Sequence, residues 1–250
     1  EIYTLSLHDA LPIFGRQLLY WKVRIWDEND RVSRWSQPVR CSVGLLSEGE
    51  WTASFIGYAE GNGDGFSECP QFRKVITIEK KSSGTLYLLH VNSLGYHEVY
   101  INGQKVGDAV LTPAVSQFNK RSLANSYDVT DIVRAGKNEL LIWLGCGWYS
   151  KGLPGVTGNG PLVRAELKKT TGQNCETITV TDSTWMARNS EYTRIGDWFP
   201  TRFGGERVTG NREMQNAGWK HPEKVKWNNV SLFPVCQRSE ERRVGKECRS

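Results

Sequence analysis

Apolar positions along this chain alternate with polar ones in short runs broken by Gly, Asn, Asp and Pro, and no long segment repeats with the period of a helix. Alternation of period two between frequent turn residues is the mark of half-buried strands, so the pattern predicts an all-β antiparallel sandwich. Strands are predicted at residues 72–78, 85–91, 97–101, 105–111, 138–144, 162–168 and 177–180, with a turn at 171–174. Asn102-Gly103 separates two alternating runs, and both residues tolerate the positive φ that a two-residue hairpin turn demands. The run NELLIWL at 138–144 is almost continuously apolar and reads as a central, buried strand. Residues 127–136 (YDVTDIVRAG) read as one helical turn, with Asp128 or Thr130 as its cap and Gly136 as its stop.

Residues 20–44 carry Trp21, Val23 and Ile25 on one face of a strand, then a turn at 27–30 and a second strand. Two strands bury too little surface to be stable alone. The piece therefore reads as the end of a larger sandwich whose upstream strands are missing, loosely packed or docked on its neighbour. Residues 46–51 form a linker, and residues 57–69 (GYAEGNGDGFSEC) are too small and polar to pack, which predicts a mobile surface loop. From residue 181 to Val230 the chain is rich in Trp, Gly and Arg with little periodicity, as expected of long connections covering a sandwich.

The two ends change this picture. Residues 1–13 (EIYTLSLHDALPI) and 238–250 (RSEERRVGKECRS) are encoded by the two strands of one duplex read in different frames, and that duplex resembles a sequencing-library adapter. Both are read as adapter-derived tails without function. The first holds two acidic residues and the second five basic and three acidic ones, so the formal charge of +5 is unchanged without them. Basic residues between Phe14 and Gln237 are interleaved with acidic ones and form no run, which argues against nucleic acid and for a neutral ligand. Cys41, Cys69, Cys146, Cys175 and Cys236 are odd in number with no CxxC, so a zinc ribbon or disulfide framework is not expected and most should be buried small hydrophobes. No apolar stretch is long enough to predict a membrane span. Neither GxSxG, HExxH nor Walker A occurs, and His90, His97 and His221 are scattered without a nucleophile. Gly61 to Asp64 lacks the spaced carboxylates of a helix-loop-helix calcium site.

The segments FRKVITI, LGYHEVYINGQKVGDAVL, YDVTDIVRAGKNELLIWLGCGWY and the closing GGE and GW lie in order from Phe72 to Trp219. Together they resemble the N-terminal β-sandwich of bacterial α-L-rhamnosidases. YWKVRIWDENDRVSRWSQP is similar to the end of the fibronectin-like domain that precedes that sandwich. The resemblance implies a truncated fibronectin type III or immunoglobulin-like hairpin over 14–45, then a jelly-roll, galactose-binding-like sandwich over 46–237. It implies a non-catalytic module of a periplasmic or extracellular bacterial enzyme. Inverting hydrolysis would fall to two glutamates of an (α/α)6 barrel lying C-terminal to this region. The chain departs from the family pattern at Val115, where a Trp is common, at Cys146, where an Asn is common, and at Val208 to Asn211.

Candidate sugar contacts follow from residue type and place. Trp148 and Tyr149 follow Gly145-Cys146-Gly147 at a strand end, where glycines would admit a ligand and the rings would stack on a sugar or simply cap the core. Glu206, among glycines, would accept bonds from sugar hydroxyls, help hold a calcium ion through oxygen, or pair with an arginine. Asn159, Asp197 and Trp198 add polar and aromatic candidates, although Asn and Asp are ordinary turn residues. The leading reading is a module that frames a rhamnose-containing glycan and packs on its own catalytic barrel, with no nucleic-acid or membrane partner. The alternative is a purely structural sandwich that stabilises the barrel. Catalysis by the sandwich itself finds no acid/base constellation to support it.

Overall fold

The computed structural model describes residues 15, 18–58, 69–149, 153–156, 160–172, 174–196 and 204–208. Asn159, Asp197, Trp198, Cys236, His221 and both terminal segments apart from their neighbours therefore lie outside the described residues, as do 59–68 of the expected surface loop. The loop's flanks, Tyr58 and Cys69, are buried.

The N-terminal unit begins with β1 (Leu18–Trp21) paired antiparallel to β2 (Val39–Ser42). Between them, Asp27 turns the chain by accepting the backbone N–H groups of Asn29 (2.8 Å) and Arg31 (2.9 Å) on its carboxylate, with Asp30 at φ 59°. The expected second strand is β2, and a less regular run separates it from the turn. There Ser33 and Ser36 each donate a backbone N–H across the hairpin, to Ile25 and Val23, and each hydroxyl accepts the N–H of the same partner at 3.0 Å. Serines three apart thus serve residues two apart. On one face Lys22 and Arg24 lie 4.6 and 4.7 Å from the Trp35 ring, and Arg24 also covers Trp26. On the other face Trp21, Val23 and Ile25 are 51–67% exposed. The unit is tied to the rest by an ion pair between Arg40 and Asp128.

The main body comprises β3 (Pro70–Ile78), β4 (Thr85–Leu94), β5 (Tyr96–Ile101), β6 (Gln104–Lys105), β7 (Ala124–Asp128), β8 (Gly136–Gly145), β9 (Leu162–Thr171), β10 (Asn174–Val180) and β11 (Met186–Asn189), followed by the hairpin β12 (Tyr192–Ile195) and β13 (Gly205–Val208). One sheet has the order β10-β9-β4-β7, the other β11-β3-β8-β5-β6, and every described pairing is antiparallel. This is the all-β antiparallel sandwich that the alternation predicts, of the jelly-roll type that the resemblance implies. Phe72, Tyr87, Leu89, Val99, Leu140, Ile142, Leu167 and Trp185 fill the space between the sheets, each at most 1% exposed. Asn102 and Gly103 take φ 54° and 79° and close the expected two-residue hairpin with Ile101 opposite Gln104.

Two expectations are corrected here. The strand expected at 105–111 stops at Lys105, because Gly107 (φ 75°) and Leu111 (φ 52°) take left-handed backbone that no strand accommodates. Tyr127, expected in a helical turn, belongs to β7. The turn itself survives one residue on, where Val129 accepts the N–H groups of Ile132 and Val133 and the Asp128 carboxylate accepts that of Thr130. Cysteines divide evenly among the described residues, Cys69 and Cys146 buried, Cys41 and Cys175 exposed.

The expected linker at 46–51 holds a short 3-10 turn at Glu48–Glu50, and the residues that follow it form a strap. Ile56 bridges Val163 in both directions and Ser54 pairs with Thr181, extending the edge of β9 where β10 ends. Ahead of it, Thr52 donates its N–H (3.0 Å) and hydroxyl (2.8 Å) to Glu166, and Trp51 lies 4.3 Å from the Arg164 guanidinium. This explains an outer sheet face whose polar members, Arg164, Glu166 and Lys168, are at most 3% exposed. Burial alone would raise the Glu166 carboxyl, yet the Thr52 bonds and the Lys168 charge 3.2 Å away hold it below the usual range. Such a buried pair is tolerated only with its hydrogen bonds complete.

Trp185 is fully enclosed, and its indole donates to the Val180 carbonyl at 2.7 Å. Trp185→Ala is expected to cost about 3–5 kcal/mol, read as a lower urea midpoint at unchanged slope; a loss under about 1 kcal/mol would contradict the core assignment.

Candidate functional site

Strand parity decides what faces outward. Along β8, Leu140, Ile142 and Leu144 point into the core, so Leu141 and Trp143 face the outside of the five-stranded sheet; along β5 the same parity turns Tyr96, Glu98 and Tyr100 outward. The β12–β13 hairpin lies over this face, with the Tyr192 ring 6.0 Å from that of Trp143 and the Glu206 carboxylate 3.9 Å from the Cys69 thiol. Between sheet and hairpin opens a groove of about 220 Å³. Trp143, Glu98 and Gly145 form its floor, Tyr192, Ser190 and Glu206 one side, and Tyr96 and Leu111 the other.

Its polar groups are held in defined states. Glu98 accepts from Lys105 Nζ at 2.6 Å and from the Tyr100 hydroxyl at 2.7 Å, and these outweigh the opposing effect of burial to keep its carboxyl below the usual range. Tyr100 is pushed up to about 12 by burial and by the Glu98 carboxylate it serves. His97, of opposite parity to Glu98, turns its ring to the inner side of the sheet and is 4% exposed. The Ser93 hydroxyl gives its proton to the Gly95 carbonyl (3.0 Å), so it accepts from His97 Nδ1 at 2.7 Å, leaving Nε2 to accept from Tyr127 at 2.9 Å. Burial lowers His97 to about 4, so the ring is neutral near pH 7.

Of the residues singled out from sequence, the structure places Glu206 in the groove. Trp148 stands beside it, half-buried, donating its indole N–H to Tyr96, whose hydroxyl burial nonetheless raises. Tyr149 is not a surface platform. It is 3% exposed and packs with Phe55, Leu94 and Leu162, its ring edge-on to Phe118 at 5.1 Å. The glycines at this strand end make room for the protein itself: a Cβ on Gly147 (φ 48°) would stand 2.4 Å from the Tyr96 ring, and one on Gly145 3.0 Å from the Glu206 carboxylate. Tyr96, Glu98, Trp143 and Tyr192 were not among the residues singled out from the sequence. For Trp143 the signal was present, since period two within NELLIWL sets it opposite Leu140, Ile142 and Leu144.

A family model described as the alpha-L-rhamnosidase N-terminal domain matches residues 85–246. The chain belongs to the α-L-rhamnosidase N-terminal domain family. A second model, the Rha78A-like N-terminal immunoglobulin domain, matches residues 10–47 and covers the cation-stacked hairpin. Among similar proteins, an α-L-rhamnosidase of Formosa agariphila is 27% identical over 91% of this chain, and one of Alteromonas sp. (strain LOR) is 30% identical over 84% of it. The chain spans about a quarter of their length, 25% and 23%. Among solved structures, the α-L-rhamnosidase from Dictyoglumus thermophilum superposes with a TM-score of 0.59 at 29% identity, over 72% of this chain and 21% of that one. The enzyme from Aspergillus terreus reaches a TM-score of 0.67 at 24% identity over 84% of this chain and 24% of that one, a likeness of fold. The rhamnosidase N-terminal domain thus supplies the frame in which the groove sits.

The neutral His97 gives a pH dependence with a definite sign. Its folded pKa of about 4 lies below the ordinary 6.5, so its contribution is complete above 6.5 and is lost as the pH falls towards 4. The loss should amount to about 3 kcal/mol. Urea midpoints measured from pH 8 to pH 4 should fall along this limb, and His97→Gln, which cannot titrate, should flatten it. An unaltered limb in the variant would assign the acid sensitivity elsewhere.

Proposed function

We propose that this chain is the non-catalytic N-terminal module of an α-L-rhamnosidase, that it receives a rhamnose-type sugar in the groove beneath the β12–β13 hairpin, and that it packs against the catalytic domain of its parent. The observation that carries the reading is the groove's lining: Trp143, Tyr192 and Tyr96 offer ring surface for the apolar face of a sugar, while Glu98 and Glu206 offer acceptors for its hydroxyls. Bond cleavage, with the two glutamates of an inverting mechanism, is assigned to the remaining three quarters of the longer relatives.

A second, purely structural role draws on a different observation. Val110, Leu111 and Val115 are 76%, 67% and 56% exposed on a loop pinned by the His97 N–H to the Thr112 carbonyl at 2.7 Å. An apolar ridge on an anchored loop suits packing on a neighbouring domain. Both roles fit one module, the groove for glycan and the ridge for the barrel.

Calorimetric titration with L-rhamnose, with and without calcium, tests the glycan role. Saturable heat is expected, with affinity reduced about tenfold in Glu206→Ala through loss of a charged acceptor, and no turnover of an aryl rhamnoside. Calcium is included because the Glu206 carboxylate is an oxygen ligand, although no group of three Asp, Glu, His or Cys side chains that could hold a metal stands among the described residues. Absence of saturable heat under both conditions leaves only the structural role, and turnover would overturn the non-catalytic assignment.

A further inference from the structure

The groove does not end at Trp143. Its floor continues along the outer face of the five-stranded sheet to Tyr100, whose ring lies 5.5 Å from that of Trp143 and is tilted 40° to it. Tyr192 meets the same indole at 6.0 Å and 59°. Three half-buried aromatic rings, from strands β5 and β8 and the covering hairpin, therefore cluster on this outer face. Parity excludes a core role for Tyr100 and Trp143, because Val99, Ile101, Leu140 and Ile142 on the same strands are the ones that fill the interior.

Charges on this face are largely paired. Glu98 is bound to Lys105 at 2.6 Å and Arg73 to Glu139 at 2.5 Å, with side chains 29–43% exposed. With these pairs formed and Glu206 adding a carboxylate at the groove, the face suits a long neutral polyhydroxyl ligand better than an acidic one. The carboxylate of Glu98, fixed between Lys105 and Tyr100, sits where it can accept from a hydroxyl between the first and second rings of such a ligand.

We propose that Tyr192, Trp143 and Tyr100 form a platform for a neutral oligosaccharide, so that the module grips an extended glycan and not only its terminal sugar. This rests on the carbohydrate reading of the groove and extends it to ligand length.

The test compares L-rhamnose with a neutral tetrasaccharide of α-linked L-rhamnose and with a tetrasaccharide containing uronic acid, by calorimetry on the full chain. The neutral tetrasaccharide should bind about tenfold more tightly than the monosaccharide, the gain of one or two added ring contacts, and more tightly than the acidic one. Tyr100→Ala should bring the tetrasaccharide's affinity down to that of the monosaccharide for the same variant, whereas Tyr100→Phe, which loses the same hydroxyl but keeps the ring, should retain the gain. Equal affinities for the monosaccharide and the neutral tetrasaccharide would overturn the platform while leaving the groove intact. Binding of neither sugar would remove both. A dimer in light scattering that Tyr100→Glu dissolves would also overturn it, by showing that a second copy covers this face.

Discussion

The alternation of side chains along β8 is the constraint on which the rest depends. This strand is paired on both flanks, to β3 and to β5, and no residue in it can change face without shifting every neighbour. Its even-numbered members, Leu140, Ile142 and Leu144, close the core, and the residue left over on the far side is a tryptophan. One register therefore fixes both the interior and the floor of the groove. The hairpin β12–β13 then needs only to lie across that floor for a binding-sized space to form.

The four-stranded sheet answers a different problem. Its inner face is apolar in the ordinary way, but its outer face carries Arg164, Glu166, Lys168, His90 and Asn92, all within 3% of full burial. Such a face is stable only because a peptide strap supplies matching donors and ring surface. Thr52 satisfies the carboxylate, Trp51 and Phe55 flank the guanidinium, and Asn92 accepts from Arg164 Nε at 3.2 Å. The strap is also the connection to the N-terminal unit, so the same residues complete the sheet and seat the preceding domain.

Much of this was legible in the sequence, for reasons that differ by element. The period-two runs located β3, β4, β5, β8 and β9 to within a few residues, because burial of one face enforces the alternation that was read. Asn102-Gly103 was legible because left-handed backbone at both turn positions restricts the residue choice. The order of the motifs gave the family. β7, β11, β12 and β13 were not legible, since they are short or edge strands whose side chains face water as often as protein, and neither face imposes a pattern. The groove was mostly hidden for the same reason: its residues are the outward members of strands read for their inward ones. Trp148 and Tyr149 drew attention as aromatics after glycines, yet those glycines accommodate the Tyr96 ring and the Glu206 carboxylate. A local motif cannot reveal that its space is filled from a distant strand.

The strap has a mechanical consequence. Its attachment points, Ser54 to Thr181 and Ile56 to Val163, run alongside β9 rather than off its end. Tension on the N-terminal unit would load these links in shear, several bonds at once, instead of unzipping them singly.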